Sequence, residues 1–405
     1  MSAALPSPSF DRNEVRARFA LDYVRDRHRR LIAGEEVIVH CHHYNSRIQR
    51  TVEGAAGIDG KAIFRTAART AFLRQITAGF RDGDDETARW AVAEELFAEL
   101  GYGSLDLADP ASDTVHQSAG HFVEGWGVAF ADQSKPVCTL AEGFIEAAFM
   151  AVRGESVEVR ETHCMHCGAS QCSFSIRRGV EAWTAPSRPA RRESVSTSAD
   201  AELADSNIDD NAIIQAVVGL PIRGGDDGLI PAFGVYLANT PADFYNQVAI
   251  EFVEAMSESG QRETACRLLS EAGESCAMNT FRGIMDSAEW EALVAPMLQE
   301  PADTLFALVA LSNAFGWGNW RITEHEPGET LEIVSFNGYE ALGFLESRGQ
   351  ATQAQCWMLQ GVSAGMMALV YGEGSFSERF GTYLTEEHDC IAKGNTMCAF
   401  AVEES

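Results

Sequence analysis

The chain is poor in basic residues. Its 405 residues include 31 Lys and Arg against 59 Asp and Glu, which gives a formal net charge of −28 at pH 7. A surface with this excess of negative charge repels nucleic-acid phosphates, so direct binding to nucleic acid is not expected. The sequence also has no GxxxxGKS/T phosphate loop and no basic helix-turn-helix segment, so neither an ATPase nor a DNA-binding module is indicated.

Long apolar runs are missing as well. No run approaches the roughly 18 residues of a membrane-spanning helix, and the start of the chain has no basic segment followed by an apolar one. These absences predict a cytoplasmic protein that does not interact with membranes. The ten cysteines are too few for a disulfide scaffold in a chain of this length, and in a reducing compartment clustered cysteines are typical metal ligands.

The sequence repeats itself with a period of about 220 residues, which fits a duplicated domain. In both copies an apolar helical pattern, at 90–100 and at 305–315, precedes a Gly-aromatic-Gly turn and a strand. Alternating stretches at 114–130 and 329–347 then predict antiparallel strands, and each is followed by a helix that begins with a cysteine. Helices packed on one antiparallel sheet predict an α+β domain in each copy.

Earlier helices are predicted from Lys61 to Gly79 and from Ala242 to Asp286. The segment 177–212 is polar and rich in Pro, Ser, Arg and Asp, which is typical of a linker. We therefore expect two copies of a helix-flanked antiparallel-sheet domain, related by a pseudo-two-fold axis. The expected boundaries are 1–34 for an N-terminal extension, 35–178 for the first domain, 179–212 for a flexible linker and 213–405 for the second domain.

Two segments carry the most specific pattern, ETHCMHCGASQC at 161–172 and EHDCIAKGNTMC at 387–398. Both have the spacing E-x-x-C-x7-C, and each copy has one more cysteine at the start of the preceding helix. Three thiolates and one carboxylate suit a tetrahedral Zn²⁺, and a shell closed by four protein ligands is typical of a structural ion. The predicted zinc ligands are Cys138, Glu161, Cys164 and Cys172 in the first copy, and Cys356, Glu387, Cys390 and Cys398 in the second.

Two other interpretations of these cysteines stay open. They could be small buried apolar side chains, as free cysteines often are, but this does not explain why three Cys and one Glu recur together. Cys164 and Cys167 form a C-x-x-C pair, which is typical of a redox-active dithiol. The second copy has Lys393 in place of Cys167, so redox chemistry would belong to the first copy alone.

With its KPVC and ETHCMHCGASQCSF motifs, the run from about Trp90 to Phe174 resembles the 4-vinyl reductase-type domain, also called the hydrocarbon-binding domain. This family includes the sensor domains of phenol- and xylene-responsive bacterial transcription activators. The second copy resembles it through CWMLQGVSAGMMALVYG and EHDCIAKGNTMCAF. The resemblance implies a bacterial protein, a zinc ion on the same four ligands in each copy, and the fold of vesicle-tethering subunits, which commonly dimerise. A homodimer or another protein partner is therefore expected.

The second copy departs from the family spacing. Glu161 follows Cys138 by 23 residues, whereas Glu387 follows Cys356 by 31, so the second zinc site carries 8 extra residues. Four residues after the leading cysteine the copies have Glu142 and Gln360, where the resemblance implies an aromatic residue in a phenol sensor. This departure weakens phenol as the ligand.

A pocket for a small hydrophobic or aromatic molecule needs apolar walls with a few polar groups. Aromatic and histidine side chains of the predicted strands offer both, although they are also common in ordinary cores. The candidate ligand-binding residues are His116, His121, Phe122, Trp126 and Phe130 in the first copy, and Trp320, Phe336, Tyr339 and Phe344 in the second. A candidate second site lies in VIVHCHHYN, where His40, His42 and His43 could contact a metal or a ligand, or could be structural.

The function that these observations favour is a zinc-stabilised binding module for a small hydrophobic or aromatic molecule, acting as a sensor, carrier or accessory factor. An enzyme is the first alternative, because the family name implies reduction of a vinyl group on a tetrapyrrole. The sequence has no GxGxxG fingerprint after a strand, so such an enzyme would depend on a partner for reductant. A protein-interaction scaffold is the second alternative, with weak support from the acidic surface and the long linker.

Overall fold

The computed structural model describes residues 11–107, 112–130, 134–184 and 202–405. Much of the predicted linker, 185–201, lies outside these residues. Across the described ranges, every helix is too short or too polar to cross a membrane.

The two halves of the chain share a common order of main elements. The first half has α1 (Arg12–Arg16), β1 (Asp22–Val24), β2 (Arg29–Ile32), β3 (Glu35–Cys41), α2 (His42–Gly54), α3 (Gly60–Ala78), α4 (Glu86–Glu99), β4 (Gly103–Asp106), β5 (Thr114–Gly120), α5 (His121–Ala129), α6 (Thr139–Arg153), β6 (Glu158–His163) and β7 (Cys172–Arg177). The second half has α7 (Asp210–Gly219), β8 (Ile230–Ala232), β9 (Val235–Pro241), α8 (Ala242–Glu258), α9 (Arg262–Met285), α10 (Ala288–Leu293), α11 (Pro301–Ala314), β10 (Trp320–Glu326), β11 (Thr330–Ser335), α12 (Tyr339–Arg348), α13 (Trp357–Tyr371), α14 (Phe376–Arg379), β12 (Tyr383–Asp389) and β13 (Cys398–Glu404). The predicted α+β class is confirmed, and the common order is the one expected of an internal duplication.

The strands of the described residues form three antiparallel sheets. One four-stranded sheet belongs to each half, with strand orders β4-β5-β7-β6 and β10-β11-β13-β12. The third sheet has five strands in the order β1-β2-β3-β9-β8 and is built by both halves. No local pattern indicated this shared sheet, because its two central strands, β3 and β9, are about 200 residues apart in the chain.

The two halves also exchange backbone hydrogen bonds at the shared sheet. The Val39 amide of β3 donates to the Phe315 carbonyl, just after α11, at 3.0 Å. In the equivalent place, the Asn239 amide of β9 donates to the Leu100 carbonyl, just after α4, at 2.8 Å. Buried apolar residues of both halves then form one connected core. The domain boundaries stay a prediction. Segment 22–32, which lies in the predicted N-terminal extension, belongs to the shared sheet, because β1 pairs with β2 and β2 pairs with β3.

Three secondary-structure predictions need correction. The alternating stretch 114–130 is a strand only to Gly120 and continues as α5, and 329–347 is likewise β11 followed by α12. In 121–130 the apolar residues Phe122, Val123 and Trp126 recur at helical intervals, which short windows do not distinguish from alternation. The helix predicted from Ala242 to Asp286 is two helices, α8 and α9, separated at Gly260, whose φ of +74° favours glycine.

A close helix crossing supports the cysteine-led helix in each half. α6 packs on α3 at Gly143, and α13 packs on α9 at Gly361, at the same distance in sequence from the leading cysteine. A Cβ atom at Gly143 would overlap the Arg65 carbonyl oxygen, and one at Gly361 would overlap the Ser270 carbonyl oxygen. Both crossings therefore require a glycine, and they fix the helix whose first residue is a candidate metal ligand.

Two candidate metal centres and an apolar cavity

The first centre, named centre 1, consists of Cys138, Glu161, Cys164 and Cys172. One ligand atom from each residue lies within 4.8 Å of the other three, and all four residues are buried. Cys138 is the N-cap of α6, Glu161 lies in β6, and the last two cysteines lie on either side of the turn between β6 and β7. The turn closes tightly at Gly168, whose φ is +92°. The seven residues between Cys164 and Cys172 thus form the turn of a hairpin, which places both cysteines beside the start of α6.

Hydrogen bonds orient the side chains of centre 1. The Cys138 amide donates to Glu161 Oε2 at 2.8 Å, and the Met165 amide donates to Cys172 Sγ at 3.3 Å. The sulfurs of Cys138 and Cys172 are 3.7 Å apart. The second carboxylate oxygen of Glu161, Oε1, is buried without a hydrogen-bond partner. A buried acceptor that lacks a donor fits a cation between these side chains.

The pKa shifts of the side chains in centre 1 also fit a bound cation. Burial, together with the neighbouring Cys164, raises the pKa of Glu161 to about 8. Contacts with the Cys138 and Cys172 thiols lower the pKa of Cys164, while the pKa of Cys138 is raised. Several acidic groups thus lie close together in a small buried volume, where negative charge on one group disfavours negative charge on the others. A divalent cation would offset this repulsion, because metal binding favours the deprotonated forms of all four ligands.

Centre 2 consists of Cys356, Glu387, Cys390 and Cys398, and it reproduces centre 1. The four ligand atoms again lie within 4.8 Å of one another. The Cys356 amide donates to Glu387 Oε2 at 2.9 Å, the Ile391 amide donates to Cys398 Sγ at 3.3 Å, and Glu387 Oε1 is buried without a partner. Burial raises the pKa of Glu387 to about 9. The segment between Cys356 and Glu387 that carries the 8 extra residues includes α14, and it leaves the ligand geometry unchanged.

The donor set limits the chemistry of both centres. Three sulfurs and one carboxylate oxygen suit a divalent metal of borderline softness in tetrahedral geometry. Four protein ligands leave no coordination position for a substrate, so the arrangement is typical of a metal that stabilises the fold. Cys167, the second cysteine of the C-x-x-C pair, is exposed and is not a member of centre 1. The redox interpretation stays an alternative for that residue.

The candidate ligand residues of the first half lie on β5, on α5 and directly after α5. His121 and Phe122 are buried on α5, and His121 Nε2 lies 2.8 Å from Asn45 Nδ2. Trp126 and Phe130 are half-buried and stack edge to face with ring centroids 5.1 Å apart. His116 is half-buried on β5, where Nδ1 is 3.1 Å from the Ser173 hydroxyl.

The candidate residues of the second half are also dispersed. Trp320 is buried and stacks on Phe400 of β13, with ring centroids 5.9 Å apart. Tyr339 is buried at the start of α12, and its hydroxyl has no hydrogen-bond partner. Phe336 belongs to a small separate apolar cluster, whereas Phe344 is half-buried on α12. Their assignment as ligand residues stays a prediction.

The histidine cluster spans two elements rather than one strand. His40 is buried on β3 between the rings of Tyr44 and Trp317. Its ring centroid is 4.3 Å from that of Tyr44 and 4.9 Å from that of Trp317. His42 and His43 begin α2, so the three histidines do not lie on one strand. Burial lowers the pKa of His40 to about 3, which keeps its ring neutral. Within the described ranges, groups of three or more metal-binding side chains occur at centres 1 and 2 and not at this cluster.

An apolar cavity that sequence reasoning did not identify lies in the second half, between α7, α9, α10 and α11. Its volume is about 230 Å³. Apart from Glu289, every side chain that lines it is apolar or aromatic. The lining consists of Ile213, Ala216, Val217, Leu220, Phe233, Ile284, Glu289, Trp290, Leu293, Val294 and Leu311. We refer to it below as the α7–α11 cavity.

Comparison with known proteins confirms the resemblance for the first half. Residues 129–178, which include all four ligands of centre 1, match the 4-vinyl reductase domain family. The chain is also similar to a solved structure, the phenol-responsive sensory domain of the transcription activator PoxR with phenol. The two are 16% identical, the match covers 39% of this chain and 73% of that one, and the TM-score is 0.31. No protein with a curated description matches the chain.

Proposed function

We propose that this chain is a zinc-stabilised binding protein for a small hydrophobic or aromatic molecule. In this role it acts as a sensor, a carrier or an accessory factor. Each half holds one structural zinc ion on three cysteines and one glutamate. The family match over 129–178 supports the assignment of the first half.

The metal is assigned as structural because of the geometry of the centres. All eight ligands are buried, and backbone amides orient one carboxylate oxygen and one sulfur in each centre. A zinc ion with four protein ligands stabilises the fold and leaves binding to another part of the molecule. Zinc is favoured over harder cations because three of the four donors are thiolates.

The observation that carries the binding function is the α7–α11 cavity. This cavity has a volume of about 230 Å³, and apart from Glu289 its lining is apolar. Apolar concave sites with few polar groups are the typical sites for small molecules. The cavity therefore supports a ligand with little polar surface.

Native mass spectrometry of the purified protein, paired with elemental analysis, tests this function. We expect two zinc ions per chain and either a co-purified uncharged adduct or uptake of an added aromatic compound without turnover. Iron or haem at the centres, substoichiometric zinc, or failure to take up any aromatic or hydrocarbon compound would contradict the proposal.

A further inference from the structure

We infer that the α7–α11 cavity binds an uncharged hydrocarbon without hydrogen-bonding groups, of about the size of a one- or two-ring aromatic, and that only the second half carries this site. This inference rests on the proposed function and specifies its site and ligand class. The family match and the metal centres lie elsewhere in the chain, so the cavity is a separate feature.

The duplication provides an internal comparison for the cavity. Asp11 caps α1 by accepting a hydrogen bond from the Asn13 amide at 2.9 Å, and Asp209 caps α7 by accepting one from the Ala212 amide at 3.0 Å. Counted from these caps, Phe19 and Val217 occupy the same position, eight residues further on. Both are buried. The first half therefore has a phenylalanine where the second half has the smaller valine.

Phe19 fills its space in the first half. A Cβ atom placed on Gly79, at the end of α3, would lie 2.8 Å from Phe19 Cε1 and 3.0 Å from Val92 Cγ1. The ring thus packs directly against the backbone of α3 and the side chains of α4. Counted from the helix-crossing contacts at Arg65 and Ser270, Gly79 corresponds to Ile284, which lines the α7–α11 cavity. In the second half, Val217 and Ile284 occupy the positions of Phe19 and Gly79, and both of these aliphatic side chains line the cavity.

A longer connection between helices in the second half contributes residues to one side of this space. The connection between α3 and α4 runs over residues 79–85, whereas that between α9 and α11 runs over 286–300 and contains α10. The Ser287 hydroxyl caps α10 by accepting a hydrogen bond from the Trp290 amide at 3.2 Å. Trp290 and Val294 are buried, and both line the cavity. The longer connection therefore adds an apolar wall at the place where the aromatic plug is missing.

The lining determines the class of ligand. Glu289 is the one acidic side chain of the lining and is exposed, so an anionic ligand would meet negative charge in addition to the overall charge of −28. A ligand hydroxyl would lose its water and find few protein partners, which weakens the binding of a ligand that carries one. A dry apolar cavity of about 150 Å³ is large enough for benzene. The larger α7–α11 cavity thus fits toluene or naphthalene better than phenol or benzoate.

Isothermal titration calorimetry with toluene and phenol on the full-length, metal-loaded protein tests the inference. We expect one toluene per chain and phenol binding weaker by about tenfold or more. Val217→Phe introduces the residue of the first half and should weaken toluene binding by at least about tenfold. Ala216→Trp changes an exposed position on the rim and should also weaken binding without altering the core. The matched control is Val128→Phe on α5 of the first half, where the same substitution at an exposed position should leave toluene affinity unchanged. Circular dichroism and zinc content verify that each variant is folded.

The outcomes separate the inference from the function on which it rests. If the wild-type protein binds neither toluene nor phenol, the inference is wrong, and the proposed function stands only if native mass spectrometry shows uptake of another aromatic or hydrocarbon compound. If it binds phenol in preference to toluene, the ligand class is wrong and the function stands. If toluene binding survives in folded Val217→Phe and Ala216→Trp variants, or is lost equally in Val128→Phe, the site is wrong and the function stands.

Discussion

Val39 and Asn239 lie opposite each other at the centre of the five-stranded sheet, where β3 of the first half pairs with β9 of the second. Each of their amides donates a hydrogen bond to the end of a helix in the opposite half. The Trp317 indole nitrogen adds a third link by donating to the Val39 carbonyl at 3.0 Å. The halves are therefore joined by buried backbone hydrogen bonds as well as by apolar packing. Separating the halves would break these hydrogen bonds and expose the apolar surfaces to water.

This joint predicts that the halves stay together when the chain is cut. A specific protease site inserted into the predicted linker (179–212) should yield two fragments that elute together on size exclusion and unfold in one transition, because the shared core and sheet remain. The uncut protein with the same insertion is the control. Separation into two independently folded fragments would contradict the shared-sheet arrangement.

The helix crossings predict a strong position dependence for glycine substitutions. Gly143→Ala and Gly361→Ala should each lower the free energy of unfolding by about 1–3 kcal/mol, because the new methyl overlaps a carbonyl oxygen of the facing helix. The matched control is Gly127→Ala on α5, where the structure has nothing within 4 Å of the added methyl. This control should be neutral or slightly stabilising through helix propensity. Urea unfolding measures all three, and equal effects at the three positions would refute the close-crossing account.

Glu274 predicts a pH dependence of stability away from the metal centres. It is buried on α9, where it accepts a hydrogen bond from the Gly381 amide at 2.7 Å, and burial raises its pKa to about 7. An unfolded glutamate has a pKa of about 4.3. The native state therefore binds more protons than the unfolded state between these values, so this group lowers stability as pH rises from about 4 to 7.

Glu274→Gln should remove that contribution. The amide oxygen can still accept from Gly381, and no proton is lost, so the variant should gain stability relative to wild type between pH 5 and pH 8. Urea unfolding at these two pH values measures the difference. Gly127→Ala, which changes no titratable group, is the control and should differ from wild type by the same amount at both pH values. A wild-type advantage for Glu274 that grows with pH would show that the sign is wrong.

The metal centres could be predicted from sequence because their information is local and repeated. Glu161, Cys164 and Cys172 lie on one hairpin, and the second copy preserves the spacing, so no long-range contact was needed to find them. The leading cysteine required one inference, that its helix begins beside the hairpin. That position is now seen to depend on the close crossing at Gly143.

The shared sheet and the cavity depend on relationships that no short window contains. β3 and β9 pair across about 200 residues, and each strand alone has the pattern of an ordinary apolar strand. The α7–α11 cavity is lined by Val217, which we align with Phe19 of the first half, and by Trp290 of α10, a helix in the long connection between α9 and α11. Aromatic content alone could not locate it, because most of its lining is aliphatic.

The measurement that tests the central claim most directly is the zinc content of folded single-cysteine variants, determined by elemental analysis. The account predicts two zinc ions per chain for wild type, one for Cys172→Ser, one for Cys398→Ser, and two for Cys167→Ser, whose sulfur lies outside centre 1. Each lost ion should also lower the melting temperature, because metal binding and folding share free energy. Two ions retained in Cys172→Ser or Cys398→Ser, or one lost in Cys167→Ser, would contradict the assignment of the centres.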